Sequence, residues 1–382
     1  PGITPAYSGF VVQTIPLGRK LAKMRNVFQV ELTQAELEAS MQNIRVLNAV
    51  RSMFYQVLGA QQMLDLQTKL AENANVATKT TAELFNVGQA DKPDYLESEI
   101  EQQQVAHELQ AARNNYLQKW KVFAAVLGRP EMAPVRLVGN LEDGVVQLDE
   151  AQLHRQLLQE SPQVKAAEAQ VRRAQAVLIR AQAEWIPDLY VRGAVGYNRE
   201  FVDTGGEGEP PRTGLIGAGQ VGVTLPIFNR NQGGIAAARS EVTFQQREIE
   251  RVRLGLRVQL ATTIKDYNNA LDVITRYRNV ILPRAEESHQ LYLSKFKSMA
   301  ASYPQVLIAQ RTMVQLRQKY TDALVGLHQD ATQLSGFLLS GGLDMPRTQF
   351  GEAAGSTGLS GMQASAGGDI DSLDEAHNVD HY

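Results

Sequence analysis

Histidine is the residue type in this sequence that most readily binds metals or moves protons near neutral pH. The six histidines are His107, His154, His289, His328, His377 and His381. No two histidines of the long helical patterns have the i, i+4 spacing that places a zinc-binding pair on one helix face. We therefore interpret them as solvated helix residues and predict no metal site, although the acidic segment 371–381 could bind a divalent cation weakly.

Other catalytic constellations are missing from the sequence. Its 41 acidic residues form no recognisable catalytic pair, and no glycine-rich phosphate loop or nucleophile motif occurs. The absence of cysteine removes thiol nucleophiles, thiolate metal sites and disulfides. A net charge of −3 without any basic run gives no support for nucleic-acid binding. The sequence thus predicts a protein that is not an enzyme and that binds neither a cofactor nor nucleic acid.

The chain consists of two similar halves. Segment 14–17 (TIPL) matches 224–227 (TLPI) at an offset of 210 residues, and the pattern 85–96 matches 296–307 at an offset of 211. An offset that persists over about 80 residues indicates a duplicated architecture.

The predicted elements follow this duplication. The first half, 1–127, contains a strand at 8–15, a helix at 20–84 and a returning helix at 94–127. A linker region, 128–160, precedes the second half, 161–340, which contains helices at 161–185, 234–296 and 305–339 and strands at 188–198 and 214–227. Pro283 should kink or interrupt its helix. The tail, 341–382, is predicted to be disordered because much of it is rich in Gly, Ala and Ser.

The helices are too long to be buried in a globule. Apolar residues at Leu47, Val50, Phe54, Val57 and Leu64 have spacings close to the 3.5-residue repeat of a coiled coil. At ~1.5 Å per residue, the helix 20–84 would be roughly 95 Å long. Each half therefore contains a long antiparallel helical hairpin.

The strands of the second half alternate between apolar and polar residues and are about as long as tilted membrane strands. No apolar run approaches the ~20 residues of a spanning helix, so that any membrane crossing would use strands. We predict that one face meets lipid and that the other lines a polar lumen, with Arg192, Asn198, Gln220 and Thr224 on the lumen side. A soluble hairpin is the alternative for these strands considered alone. The first half shows one strand only, so we expect its first helix and first strand to be missing from this sequence.

The order helix, strand, loop, strand, long helix, turn and returning helix, written twice, resembles the TolC family of outer-membrane efflux proteins. Segment 181–189 (AQAEWIPDL) is similar to the family's helix-to-strand junction, and 223–228 (VTLPIF) to its strand-to-helix junction. Segment 281–286 (ILPRAE) resembles a recurrent stretch of the second long helix. The likeness covers about residues 8–340. Segment 13–20 (QTIPLGRK) is more similar to the heavy-metal (Czc-like) branch than to the drug branch.

This resemblance implies a mainly α fold with a membrane β-barrel contribution, in a homotrimer whose helical barrel extends from the outer membrane into the periplasm. It also implies three kinds of partner: a periplasmic adaptor (membrane fusion) protein, an inner-membrane efflux pump of the RND type, and outer-membrane lipid. The implied function is a passive exit duct, and the similarity of segment 13–20 to the heavy-metal branch favours heavy-metal cations as the substrate. The alternatives are a duct for drugs or organic solutes and, from another class, a periplasmic coiled-coil adaptor or scaffold.

The hairpin turns are where the family closes its tube and meets its adaptor. The residues that the resemblance assigns to this adaptor contact or periplasmic gate are Val87, Gly88, Asp91, Asp94, Ser298 and Met299. The Val-Gly pair of the first turn resembles the family's contact turn, whereas the second turn lacks the glycine. Three copies of Asp91 and Asp94 around a narrow aperture would favour cations. A plain helical turn is the alternative interpretation.

Overall fold

The computed structural model describes residues 7–145, 147–202, 212–298 and 303–344, and this part is dominated by helices. The helices are α1 (Lys20–Asn86), α2 (Lys92–Val126), α3 (Glu150–Glu160), α4 (Pro162–Ala181), α5 (Gln232–Arg276), α6 (Leu282–Lys297) and α7 (Tyr303–Ser335). The strands are β1 (Tyr7–Ile15), β2 (Leu189–Val202) and β3 (Arg212–Val223). These elements belong to one compact unit that ends at Gly342. From residue 345 onward, the tail predicted to be disordered lies outside the described residues.

Local sequence signals explain most element boundaries. Ser161 begins α4 because its hydroxyl accepts a hydrogen bond from the Gln163 backbone N–H at 3.2 Å, with a proline at the first helical position. The strand predicted at 214–227 ends earlier, at Val223, since Pro226 has no N–H for a sheet ladder. The helix predicted at 161–185 ends earlier as well, at Ala181, where turn hydrogen bonds replace the helical ones.

Pro283 changes the helix that contains it without ending it. The turn before it, Tyr277–Ile281, is π-helical, and α6 begins directly afterwards with this proline in its first turn. A proline ring clashes with the carbonyl four residues earlier, and the wider π-helical turn gives this carbonyl room. The predicted interruption of the helix 234–296 is therefore a π-helical turn between α5 and α6.

The linker region contains a helix that the sequence patterning did not predict. The Asp149 carboxylate accepts hydrogen bonds from the backbone N–H groups of Ala151 and Gln152 and so begins α3. The linker is also fixed to α1, because the Gln61 side chain exchanges two hydrogen bonds with the backbone of Leu137, at 2.9 and 3.1 Å.

The three strands form one antiparallel sheet in the order β1, β2, β3. Ile15 pairs with Leu189, which in turn pairs with Val223, so the C-terminal ends of β1 and β3 lie beside the start of β2 at one end of the sheet. The sheet therefore joins a strand of the first half to both strands of the second. None of the described helices has a stretch that is long and apolar enough to cross a membrane.

The helices pack as two hairpins that share neighbours. Helix α1 packs along α2, α4 and α7, while α5 packs along α4 and α7. The main apolar core lies where the linker meets α1, α5 and α7, and its fully buried members include Leu58, Leu141, Leu256, Leu324 and Leu327. Helices α1 and α7 approach closely at Gly59, where an added Cβ would lie 2.5 Å from Val325 Cγ2.

One histidine contradicts the prediction that the histidines are solvated. His328 is only 5% exposed, since it lies in the core between the linker and α1. Its Nε2 atom donates to the Leu141 carbonyl at 2.8 Å, and its ring stacks on Tyr55 with 4.1 Å between centroids. Its neighbours come from distant parts of the sequence, so spacing within α7 could not indicate this role.

Asn48 of α1 holds the chain that follows α7. Its side-chain amide donates to the carbonyls of Gly336 and Leu339 at 3.1 and 2.8 Å, and the residue is buried. Between these carbonyls, Phe337 and Leu338 have φ values of 56° and 58°, a conformation that is unfavourable for residues with a Cβ.

We expect Asn48→Ala to reduce the free energy of unfolding by about 2–3 kcal/mol, because two buried carbonyls lose their donor. Thermal unfolding followed by circular dichroism measures the loss. Asn114→Ala is the matched control, since this asparagine is exposed on α2, and it should change stability by less than about 0.5 kcal/mol. Equal losses in the two variants would contradict the assigned role.

Candidate functional site

The first hairpin tip connects α1 to α2 through a glycine turn. The N–H groups of Gly88 and Gln89 donate to the carbonyls of Phe85 and Leu84 at 3.0 and 2.8 Å. Gly88 has a φ of 78°, which favours glycine, and a Cβ at this position would meet no atom within 4 Å. Val87 is 69% exposed, so that the predicted Val-Gly contact pair lies on an open surface.

The two predicted aspartates lie at the start of α2. Asp91 is the residue before the helix, is exposed and makes no side-chain capping bond, whereas Asp94 lies in the first turn and is half-buried. A negative charge here is favoured by the helix dipole. Within the described part of the chain, neither carboxylate forms an ion pair, with Lys92 or with any other residue. Both remain candidates for an acidic aperture.

The second tip connects α6 to α7. Ser298 is exposed, and its hydroxyl donates to the Lys295 carbonyl at 3.0 Å. Met299 lies outside the described residues. Both tips have an aromatic pair at the base of the turn: Phe85 with Tyr95, 5.7 Å between ring centroids, and Phe296 with Tyr303, 5.3 Å.

An ion pair joins the two hairpins close to their tips. Arg311 of α7 donates to the Glu101 carboxylate of α2 at 2.6 Å and to the Gln104 side chain of α2 at 2.8 Å. Glu101 is only 4% exposed, whereas Arg311 is about half exposed. Among the described residues, these are the side-chain hydrogen bonds that connect α2 directly to α7. We refer to Glu101, Gln104 and Arg311 as the inter-hairpin lock.

Tyr303 belongs to the same region. Burial, together with the nearby carboxylates of Glu101 and Glu97, raises the pKa of its phenol to about 12. The ring is therefore neutral over the physiological range and adds no charge beside the lock.

Sequence reasoning missed the inter-hairpin lock, although one signal was available. Arg311 follows Glu101 by 210 residues, which is close to the offset between the two halves. Opposite charges at nearly equivalent positions of two copies attract each other where the copies pack side by side. The sequence alone could not show that Glu101 is buried.

A polar groove of about 1030 Å³ runs along α1 between α2 and α7 and includes the lock. Many of its lining side chains are uncharged amides, among them Gln56, Gln67, Gln104, Gln315 and Gln329. Its charged residues include Asp322, whose pKa is raised above the ordinary value by burial, with a smaller opposing effect of Lys119. Such a lining favours water over apolar ligands. No cluster of three or more potential metal-ligating side chains occurs in the described part of the chain.

Three of the four predicted lumen residues lie on the sheet. Arg192 and Gln220 are directly paired between β2 and β3, and Thr224 follows the end of β3. Asn198 pairs with Gly214 through the backbone, while its side chain is outside the described residues. The register also places Phe10 of β1 on the Arg192 face, where the guanidinium carbon lies 4.6 Å from the ring centroid. This face is therefore mixed rather than uniformly polar.

Comparisons with known proteins agree with this architecture. Residues 153–338 match the family model described as outer membrane efflux protein. The cobalt-zinc-cadmium resistance protein CzcC of Cupriavidus metallidurans is 28% identical over 313 residues, which cover 81% of this chain and 70% of that protein.

Solved structures show the same fold at low sequence identity. A membrane protein from Pseudomonas aeruginosa has a TM-score of 0.72 and 16% identity, with 87% of this chain and 82% of that chain covered. CusC has the same TM-score and identity, with 88% and 78% covered. The outer membrane protein VceC from Vibrio cholerae has a TM-score of 0.66 and 13% identity, with 88% and 87% covered. The predicted mainly α, TolC-like fold is confirmed.

Proposed function

We propose that this chain, which matches the outer membrane efflux protein model over residues 153–338 and is similar to CzcC over 81% of its length, is the exit duct of a tripartite efflux system. In this proposal three copies assemble in the outer membrane and conduct substrate passively to the exterior. A periplasmic adaptor and an inner-membrane pump of the RND type deliver the substrate. No bond is made or broken in the protein, which therefore is not an enzyme.

The observation that carries this proposal is the path of α1. This helix leaves the sheet at Lys20 and ends at the hairpin tip at Asn86, so its 67 residues span about 100 Å at ~1.5 Å per residue. A strand end and a hairpin tip held this far apart suit a tube that extends from a membrane into the periplasm. In a trimer, the tips, with their exposed Val87 and Gly88, would meet the adaptor, and the strands would contribute to a common barrel.

Heavy-metal cations are the proposed substrate class, since the relative from Cupriavidus metallidurans is named for cobalt, zinc and cadmium resistance. A passive duct depends on its pump for specificity, so drugs and organic solutes remain the second candidate. The test is the survival of a strain that lacks this gene on zinc, cobalt, cadmium and common drugs, with and without the gene supplied in trans. A loss of drug tolerance alone would exclude the metal assignment.

A periplasmic adaptor or scaffold is the candidate from another class. Two hairpins and a sheet with exposed apolar side chains favour the duct, because adaptors normally have one hairpin. Fractionation of the full-length protein separates the two. A duct stays with outer membranes and is extracted only by detergent, whereas release by buffer alone would contradict the proposal.

We expect Asp91→Ala combined with Asp94→Ala to lower the cation selectivity of the pore and its block by divalent cations. Three copies of each carboxylate at the tip would attract cations, and their removal weakens this attraction. Reversal potentials in planar bilayers under a salt gradient measure the change. The matched control is Glu131→Ala with Asp143→Ala, which removes two exposed carboxylates of the linker. If selectivity is unchanged in an assembled trimer, the two aspartates are ordinary solvated turn residues.

A further inference from the structure

Three junctions between strands and helices meet at one end of the sheet: β1 to α1, α4 to β2 and β3 to α5. The Leu17 backbone N–H donates to the Asp188 carboxylate at 3.2 Å, and the Asn231 side chain donates to the Ala181 carbonyl at 2.9 Å. The junction segments 15–26, 180–190 and 223–240 are therefore in contact with one another at the start of the helical body. We refer to these three segments as the junction collar.

The collar is basic although the chain as a whole is acidic. It contains seven Lys and Arg residues against two Asp and Glu residues, a net charge of +5 in a chain of net charge −3. Both acids already have partners: Asp188 pairs with Lys20 at 2.8 Å, and Glu184 pairs with Arg180 at 3.6 Å. Five basic residues of the collar form no ion pair with any described residue: Arg19, Lys23, Arg25, Arg230 and Arg239.

The helix dipoles of α1 and α5 make the positions of the basic collar residues near their N-termini unfavourable in the isolated chain. The first turns of α1 and α5 contain no acidic residue, while Lys20 and Lys23 lie at the start of α1 and Arg230 lies two residues before α5. Positive charges near a helix N-terminus are repelled by the helix dipole. Asp188 compensates Lys20, whereas no ion pair in the described part of the chain compensates Lys23 or Arg230. The collar therefore suits a negatively charged partner.

Exposed apolar side chains lie beside these charges. Phe228 is 92% exposed and Trp185 is 53% exposed. The other exposed apolar side chains of the collar include Leu17, Leu21, Leu225 and Ile227. A belt of aromatic and apolar side chains next to Lys and Arg is typical of residues at a membrane surface, where acyl chains and charged headgroups are both within reach.

We propose that the junction collar binds the phosphate groups of anionic phospholipids, with its apolar side chains in contact with the acyl chains. This inference rests on the proposed outer-membrane location and adds a lipid preference to it. A free anion would use the basic residues but would leave the apolar belt exposed to water. The collar therefore fits a headgroup attached to acyl chains better than inorganic phosphate.

The test uses the full-length protein in vesicles of phosphatidylethanolamine that contain spin-labelled lipid. Electron paramagnetic resonance resolves the lipid that is slowed by the protein and gives its relative association constant. We expect a roughly fivefold preference for phosphatidylglycerol over phosphatidylethanolamine, the order that one effective charge contact would give. The preference should weaken in 1 M NaCl, where the screening length is only about 3 Å.

The variant that removes the charges is Arg19→Gln, Lys23→Gln, Arg25→Gln and Arg230→Gln, and its preference should fall to about one. If it does not assemble, the double variant Arg25→Gln with Arg230→Gln should show a partial loss. The matched control is Lys69→Gln, Lys79→Gln, Arg113→Gln and Lys121→Gln, which removes four exposed charges of the first hairpin and should keep the full preference.

The outcomes separate this inference from the proposed function. Slowed lipid with equal association constants for both headgroups would refute the lipid preference and leave the duct intact. The absence of any slowed lipid would refute the membrane location itself. Inorganic phosphate and chloride are compared at the same ionic strength. If phosphate abolished the lipid preference and chloride did not, the collar would be a site for free anions, and the lipid assignment would be wrong.

Discussion

Replacement of Arg311 by alanine is expected to open the duct. The substitution removes the donor that holds α2 to α7 and leaves Glu101 buried without its partner. Loss of one member of a buried ion pair costs about 3–5 kcal/mol, and the partial exposure of Arg311 reduces this to roughly 1–2 kcal/mol. If this cost falls on the closed arrangement of the tips, the open population should rise roughly tenfold. Single-channel conductance and open probability in planar bilayers measure the effect.

Three variants test whether the inter-hairpin lock is responsible. Arg317→Ala removes an ion pair of the same helix, with Glu286 of α6 at 3.0 Å, which lies within one hairpin and should not open the tips. Glu101→Gln keeps a hydrogen-bond acceptor for Arg311 and should open the duct less than Arg311→Ala does. Glu101→Gln combined with Arg311→Ala should open the duct no further than Arg311→Ala alone, since both residues act in one contact. Equal opening by Arg317→Ala would show that any weakening of α7 has this effect, and the lock would lose its role.

Replacement of Gly59 by leucine is expected to produce the largest loss of stability. A Cβ at this position would lie 2.5 Å from Val325 Cγ2, so the added atoms must push α1 and α7 apart next to the main core. Overpacking of this kind costs about 1–3 kcal/mol, and a leucine should reach the upper end. The gain of up to ~1 kcal/mol from replacing a helical glycine is too small to compensate. Thermal unfolding of the assembled protein measures the difference.

Two comparisons separate packing from helix propensity. Gly255→Leu is the matched control, because a Cβ at Gly255 of α5 would meet no atom within 4 Å, and this variant should be neutral or slightly stabilised. Val325→Ala combined with Gly59→Leu should recover part of the loss, since it removes the methyl group that the new side chain meets. If Gly59→Leu were as stable as Gly255→Leu, the close approach of α1 and α7 would not constrain this position.

The sequence by itself determined the local structure, because the signals act over a few residues. A proline-free run gives α1 from Lys20 to Asn86, Ser161 and Pro162 begin α4, and Pro283 produces the π-helical turn. Period-two alternation identified β2 and β3. The repeat offset, together with the order of these elements, was enough to indicate a resemblance to the outer-membrane efflux proteins, and residues 153–338 match the model of that family. The candidate residues at the first tip also follow from sequence, since a turn between two predicted helices must lie at the end of their hairpin.

Only the tertiary structure decided which distant residues meet. The pairing of β1 with β2, the burial of His328 against Leu141 and the hold of Asn48 on Gly336 join residues that are 174 to 288 apart. A periodic pattern shows that a helix has an apolar face, but it does not show which helix covers this face or which charge becomes buried there. In the sequence, Glu101 is therefore indistinguishable from the many solvated carboxylates. Only the packing of α7 places Arg311 beside it. Burial and pairing depend on the packed neighbours, and these are set by the fold as a whole.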